Sequence, residues 1–238
     1  MKSFICSLIV FIFAQNSYAE ILEIYTWKPY PGKAEQLVQD MNEAAKIHSE
    51  LGITVTISAL SLGTTGDVDY VMSYEDLESW GSLKDASLKS TEWSAFLAKT
   101  RSNPSGELVD SFSMSNHDLL NRSNPFSEPG QVVAFFRWEP AAGAAGSEAL
   151  RQGFAAAKVI HESLGARVET YQIMNGRGGV RDMMYIMIYN NYSHMASVNE
   201  QMLTNSEWIA FQQEANSQPS QAATLLRSGI ANMAGYFE

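Results

Sequence analysis

The sequence predicts an α+β protein made of two successive β-α-β-β-α-β repeats, and three motifs that occur twice are the main evidence. The motifs keep the same order in both halves of the chain. Residues 44–52 reappear 113 positions later at 157–165, residues 90–96 reappear 115 positions later at 205–211, and residues 26–29 reappear 111 positions later at 137–140. Because the three offsets agree so closely, we interpret the chain as a tandem duplication of one unit.

The first residues have the pattern of a secretory signal peptide. Lys2 provides the positive start, residues 4–14 form an apolar core too short to span a bilayer, and small residues precede a cleavage point after Ala19. We therefore predict a signal peptide at 1–19 and a periplasmic or secreted protein, with an uncleaved anchor or a buried helix as the alternative. Cys6 is the only cysteine and lies in this segment, so the exported chain would contain no disulfide.

The acidic composition narrows the range of partners. The chain has 26 acidic and 16 basic residues and a formal net charge of −10 at pH 7. Nucleic acids attract basic patches, so we predict no nucleic-acid partner. No later segment is apolar for long enough to cross a membrane, so we predict no stable membrane span after signal cleavage. Histidines and carboxylates do not occur at metal-ligand spacings, so the sequence predicts no metal site and no cofactor, and it leaves the oligomeric state open.

The first repeat is predicted at 20–115, and its helix at 33–51 has the clearest pattern. Apolar side chains return at helical spacing and define one face, and Gly52 ends the helix. That face carries Leu37, Met41, Ala44, His48 and Leu51. The predicted strands lie at 21–28, 53–60, 67–74 and 107–114, and two further helical pieces lie at 75–88 and 91–99.

The second repeat is predicted at 131–238 and follows the same order. A linker at 116–130 precedes it, because that segment is rich in Asn, Ser, Pro and Gly and has no hydrophobic period. The predicted strands lie at 132–138, 166–174, 180–189 and 223–233, and the predicted helices lie at 147–164, 191–203 and 206–216.

The strand at 183–189 indicates how the two repeats combine. It is apolar at every position, so both of its faces are expected to be buried. A β-α-β-β-α-β unit of the ferredoxin-like type packs its helices on one face of a four-stranded sheet and leaves the other face bare. We therefore predict that the two sheets face each other and form an eight-stranded α/β barrel within one chain, with the helices outside.

This arrangement resembles the dimeric α/β-barrel superfamily, which includes antibiotic-biosynthesis monooxygenases, haem-degrading monooxygenases and NIPSNAP proteins. The opening strand is most similar to the NIPSNAP group, in which it ends in a Tyr-Thr-x-Lys-Pro-Gly-like motif. Here residues 25–29 read YTWKP, and two residues precede Gly32. The resemblance implies the barrel fold but no catalytic residues from NIPSNAP proteins. Haem-degrading members use an asparagine, a tryptophan and a histidine, and the first strand of neither repeat contains an asparagine.

Two histidines are candidate functional groups. His48 and His161 occupy equivalent positions on the apolar faces of equivalent helices. An imidazole titrates near neutral pH and can act as an acid, a base or a ligand. The preferred alternative is a packed histidine that has a hydrogen-bond partner at the end of a helix. Trp93 and Trp208 begin equivalent helical pieces and are expected to pack those helices against the sheet.

Aromatic residues also repeat on one side of equivalent strands. Tyr25 and Trp27 correspond to Phe136 and Trp138, and Tyr70 and Tyr74 correspond to Tyr185 and Tyr189. If these sides line the barrel interior, they form an aromatic cavity suited to a flat apolar ligand, with Met72 and Met187 beside them. The preferred alternative is a filled core, because side chains usually fill the interior of a small barrel.

Two functions remain open from the sequence. The first is an exported, non-catalytic protein that binds a small apolar or aromatic molecule or serves as an interaction module. The alternative is an enzyme of the cofactor-independent or haem-degrading monooxygenase type that uses the same cavity. The absent asparagine favours the first. A cavity of several hundred cubic ångströms that opens to solvent, with a polar group directed into it, would favour the enzyme.

Overall fold

A computed structural model describes residues 20–117, 128–218 and 221–238. The predicted signal peptide at 1–19 and most of the predicted linker lie outside the described residues. The first half contains β1 (Ile21–Pro29), α1 (Ala34–Glu50), β2 (Thr54–Leu62), β3 (Val68–Tyr74), α2 (Leu77–Lys89), α3 (Thr91–Ser102) and β4 (Gly106–Asn116). The second half contains β5 (Val132–Pro140), α4 (Ala144–Ser163), β6 (Arg167–Gly176), β7 (Met183–Tyr189), α5 (Tyr192–Thr204), α6 (Ser206–Ser217) and β8 (Ala223–Phe237). The described residues therefore confirm a mixed α+β fold with eight strands and six helices.

The eight strands belong to one antiparallel sheet. Their hydrogen-bonded order is β1-β3-β2-β8-β5-β7-β6-β4, and the pairing of β1 with β4 joins the two ends into a closed barrel. Each half contributes four strands, and the halves meet at the β2–β8 and β4–β6 pairings. The two four-stranded sheets that were predicted to face each other are therefore the two halves of one sheet, joined at these two junctions. Open edges at β2, β4, β6 and β8 would leave backbone N–H and C=O groups unpaired, and the two junctions satisfy them.

The pleat of the strands separates two kinds of core. In β7, all seven residues are buried, as the continuous apolar run predicts. Met184, Ile186 and Ile188 point into the barrel, where they pack with side chains of the other strands. The alternate residues of β7 pack outward against the helices of the second half. A third core lies between the helices of the first half and the outer face of β1, β2 and β3.

Several boundaries differ by a few residues from the sequence-based expectation, and two of these differences have a clear physical reason. Helix α4 begins at Ala144, three residues before the predicted start, because Gly143 turns the chain with a φ of 87° and Gly146 approaches the Ala141 carbonyl too closely for a side chain. Strand β7 begins at Met183 instead of residue 180, because Asp182 holds the preceding turn by accepting a hydrogen bond from the Gly179 N–H at 3.2 Å. Among the described helices, none is long and apolar enough to cross a membrane.

Candidate functional site

A cavity of about 520 Å³ lies outside the barrel, between the first half of the sheet and helices α1, α2 and α3. Tyr25 and Trp27 of β1 and Tyr70 and Met72 of β3 line it from the sheet, and His48 lines it from α1. A pocket in the barrel interior has a volume of about 40 Å³, because side chains of the strands fill most of that space. Several hundred cubic ångströms is the volume typical of a small-molecule site, and the outer cavity reaches it.

The predicted aromatic sets lie on the helix-facing side of the sheet, so the expectation that they line the barrel interior is wrong. The core between the sheet and the helices of the first half contains Tyr25, Trp27, Tyr70 and Tyr74. The equivalent core of the second half contains Phe136, Trp138, Tyr185 and Tyr189. Three of the eight, Tyr25, Trp27 and Tyr70, line the 520 Å³ cavity. Period-two alternation groups residues on one side of a strand correctly, but it does not specify which side the helices cover.

His48 is held in place by its neighbours on two elements. Its Nδ1 atom lies 2.7 Å from the Tyr70 hydroxyl, and its ring centre lies 4.3 Å from that of Trp93. Trp93 is positioned in turn by the start of α3, where the Ser90 hydroxyl accepts a hydrogen bond from the Trp93 N–H at 3.0 Å. Among the described residues, no hydrogen bond reaches the Nε2 atom of His48.

The second half repeats this arrangement around His161. The Nδ1 atom of His161 lies 2.7 Å from the Tyr185 hydroxyl, and its ring centre lies 4.5 Å from that of Trp208. Asn205 caps α6 by accepting a hydrogen bond from the Trp208 N–H at 2.7 Å. The Nε2 atom of His161 is buried and has no hydrogen-bond partner among the described residues. His161 therefore has the packed role, whereas His48 lies in a cavity wall.

Glu23 of β1 is the centre of a polar cluster that the sequence analysis missed. Its Oε2 atom accepts hydrogen bonds from Lys84 Nζ at 2.8 Å, Tyr25 at 3.1 Å and Tyr74 at 3.4 Å. Its Oε1 atom accepts a hydrogen bond from Trp80 Nε1 at 2.9 Å. One feature of the sequence could have predicted this cluster: Glu23 is a single carboxylate among the apolar residues at the start of β1. A buried carboxylate requires hydrogen-bond or ionic partners.

The cluster and the histidine have defined charge states. Burial by itself raises the pKa of Glu23, but hydrogen bonds from Lys84 and Trp80 outweigh that effect and hold the pKa below its ordinary value. Burial by itself lowers the pKa of Lys84, but the interactions with Glu23 and Tyr25 have the larger effect. The pKa of Lys84 therefore lies above its ordinary value. This ion pair therefore persists at neutral pH. Burial, aided by the positive charge of Lys84, lowers the pKa of His48 to about 4, so its imidazole is neutral at pH 7.

The second half lacks this polar cluster. At the offsets of the sequence repeat, Ala134 corresponds to Glu23 and Phe136 to Tyr25. In the same way, Met195 corresponds to Trp80 and Asn199 to Lys84. The histidine–tyrosine pair is thus common to both halves, and the ion pair belongs to the first half alone. The two halves therefore share a scaffold but differ in the chemistry of the helix-facing side.

No protein-family model matches the chain, and no curated protein matches it. Solved structures do share its fold. One is a protein of Fusobacterium nucleatum that is provisionally assigned as a monooxygenase, with a TM-score of 0.61, 10% identity and coverage of 93% of this chain and 95% of that one. A second, described as an anthrone oxidase-like protein, has a TM-score of 0.56, 11% identity and coverage of 93% of each chain. A third, a variant of DypB from Rhodococcus jostii in complex with haem, has a TM-score of 0.51, 9% identity and coverage of 92% and 94%.

These similarities show the fold. The chain has the same fold as these proteins, with both halves of the barrel in one polypeptide, and this agrees with the fold that the sequence predicts. At identities this low, the neighbours do not transfer an activity or a site residue to this chain. The similarity to NIPSNAP proteins stays a prediction.

Proposed function

We propose that the chain is an oxygenase-type enzyme that oxidises a small aromatic molecule in the cavity beside α1, α2 and α3. The observation that carries this proposal is a cavity of about 520 Å³ whose wall holds the His48–Tyr70 pair and Lys84, which is paired with Glu23 behind the wall. The barrel interior, where the sequence placed the cavity, is filled, but an outer cavity of this size with polar side chains in its wall is typical of a small-molecule site and favours the enzyme. The monooxygenase and oxidase names of proteins with this fold agree with the choice.

The residues suit a reaction that begins with removal of a proton. His48 is neutral above about pH 4 and can accept a proton from an acidic C–H or O–H group of the substrate. Tyr70, whose pKa burial raises, stays a neutral phenol and orients the imidazole through Nδ1. The ammonium group of Lys84 stabilises the anion that remains, and molecular oxygen then oxidises it. For an activated methylene the balance is R₂CH₂ + O₂ → R₂C=O + H₂O, so neither a reductant nor a cofactor is consumed.

Haem is the second candidate, because a DypB structure with this fold contains it. The residues present offer haem one imidazole, His48, whose Nε2 atom is not engaged by the described residues. Bound haem would supply peroxidase-type or oxygenase-type redox chemistry. The chain would then bind it through His48 and shield it with the apolar side chains of the cavity.

Anthrone, a tricyclic molecule with one acidic methylene, is a suitable probe of the proposal. The purified chain should convert it under ¹⁸O₂ into a quinone with one labelled oxygen, faster than the spontaneous reaction. His48→Ala should slow the enzymatic rate by about 100-fold or more, as expected for loss of a general base, whereas the matched His161→Ala should keep it.

An absorbance titration with haem separates the two candidates. A stoichiometric Soret shift that His48→Ala abolishes and His161→Ala preserves would identify a haem protein. If the chain shows no Soret shift and does not oxidise anthrone or related hydroxyaromatic molecules, the enzyme proposal is contradicted. The non-catalytic binding protein would then be the better interpretation.

We also infer that the two halves arose by duplication and that the chain is exported. The repeated motifs and the repeated element order support the duplication. The charged start, the short apolar core and the small residues before Glu20 support the export.

A further inference from the structure

Three charged side chains line the 520 Å³ cavity, and they differ in how their charges are balanced. Asp40 accepts a hydrogen bond from Ser105 Oγ at 2.7 Å and lies 4.0 Å from the ammonium group of Lys99. Lys84 is paired with Glu23. Arg101 forms no ion pair with any residue in the described ranges. Within the described part of the chain, one positive charge of the cavity wall is therefore left without an acidic partner.

Arg101 lies where the cavity opens to solvent. It is in the last turn of α3 and is exposed, as are two apolar residues of the same lining. Leu88 is 79% exposed and Leu108 is 43% exposed. Deeper in the cavity the lining is apolar and aromatic, with buried residues such as Met41 and Phe96. The cavity is thus mostly apolar inside, where its ionisable groups include Asp40, His48 and Lys84, and among the described residues the guanidinium at its mouth has no acidic partner.

The second half offers a comparison within the same molecule. At the repeat offset of 115 residues, Asn216 stands where the first half has Arg101, and Asn199 stands where it has Lys84. Helix α6 has no basic residue in its last turn, whereas α3 has two there. Both cations of the cavity wall are therefore specific to the half that contains the cavity, although the helices are otherwise equivalent.

We infer that the ligand of this cavity is an apolar molecule that carries one anionic group, with its apolar body inside and the anion at Arg101. This inference rests on the proposed function only in that both use the same cavity. A guanidinium donates two parallel hydrogen bonds to a carboxylate or a sulfonate, which suits recognition at the mouth. The net charge of −10 repels anions from the protein as a whole, so selective binding of an anion requires a local cation.

Two fluorescent probes test the inference directly. 1-Anilinonaphthalene-8-sulfonate and N-phenyl-1-naphthylamine share one aromatic framework and differ by the sulfonate. The wild-type chain should bind the sulfonate more tightly, and Arg101→Gln should weaken that binding about three- to tenfold while leaving the neutral probe unchanged. Lys46→Gln, which removes an exposed charge from the outer side of α1, is the matched control and should bind both probes like the wild type.

A cavity-filling variant shows where the probes bind. Ala44 is buried and lines the cavity, so Ala44→Phe should reduce binding of both probes. Ser87→Phe serves the same purpose if the first variant does not fold, as judged by thermal unfolding. If Arg101→Gln binds both probes like the wild type, the anion inference is overturned while the apolar cavity stands. If neither probe binds the wild type, the cavity itself is not a ligand site, and the proposed function fails with it.

Discussion

Replacing Lys84 by methionine tests whether the Lys84–Glu23 pair is an essential support of the cavity wall. Methionine keeps most of the apolar stem but removes the ammonium group that lies 2.8 Å from Glu23 Oε2. The Glu23 carboxylate would then stay buried with only neutral donors, among them Trp80 and Tyr25. Desolvation, which is the largest influence on this carboxyl, would no longer be outweighed, so the pKa of Glu23 should rise above its ordinary value.

The size of the effect follows from the exposure of the pair. Breaking a fully buried ion pair costs about 3–5 kcal/mol, and breaking an exposed one costs about 0–1 kcal/mol. The Glu23 side chain is 9% exposed and the Lys84 side chain is 34% exposed, which places the pair between these limits. We therefore expect Lys84→Met to lower the free energy of unfolding by about 2 kcal/mol at pH 8.

The pH dependence distinguishes this mechanism from a general packing loss. In the wild type, the lowered pKa of Glu23 stabilises the fold above the ordinary carboxyl pKa, and this contribution is lost as the pH falls through the folded-state value. In Lys84→Met the raised pKa reverses the sign, so the penalty is largest at high pH and shrinks as Glu23 takes up a proton. The difference in free energy of unfolding between the wild type and Lys84→Met should thus shrink as the pH falls from 8 to about 4.5.

Urea unfolding followed by tryptophan fluorescence at several pH values provides the measurement. Asn199→Met, at the equivalent exposed position of α5, is the matched control and should change the free energy of unfolding by less than about 0.5 kcal/mol. The double variant Glu23→Gln/Lys84→Met should be more stable than Lys84→Met at pH 8, because it removes the unpaired carboxylate. A pH-independent loss, or no loss at all, would refute the proposed role of the ion pair.

Two further predictions concern the histidines and the start of the chain. Burial lowers the pKa values of both His48 and His161 to about 4, so their C2 protons should titrate near pH 4 in NMR spectra of the folded protein. Because these values lie below the ordinary pKa of 6.5, the unfolded chain binds more protons between pH 6.5 and 4, and stability should fall across that window as the pH decreases. Titration near 6.5 would contradict the buried geometry. N-terminal sequencing of the protein recovered from its host should begin at Glu20, and a retained Met1 would refute the predicted cleavage.

Much of the fold could be predicted because its signals are local. Helix α1 follows from apolar residues at helical spacing up to His48, and the left-handed Gly52 ends it with a φ of 89°. Strand β7 follows from its continuous apolar run, whose two faces serve two different cores. Such patterns depend on neighbours within a few residues of one another, so no tertiary information is needed to recognise them.

The candidate site was only partly predictable. His48, Tyr25, Trp27 and Tyr70 were identified from their repetition in the sequence, and the structure brings them to one cavity. The predicted place of that cavity was wrong, because alternation along a strand does not say which side faces the helices. Glu23 and Lys84 were missed, because they are 61 residues apart and acquire their roles through one contact.

The amino-acid pattern was enough to predict the order of the elements, the correspondence between the two halves and the residues that share a face. These properties follow from hydrophobic period and from turn residues, which act over a few positions of the chain. Only the tertiary structure shows that the 520 Å³ cavity lies outside the barrel, that His48 lines it while Nε2 of His161 is buried, and that the Lys84–Glu23 pair has no counterpart at the equivalent positions of the second half. Such differences arise from how side chains distant in sequence fill a shared space, and packing of that kind leaves no periodic signal in the chain.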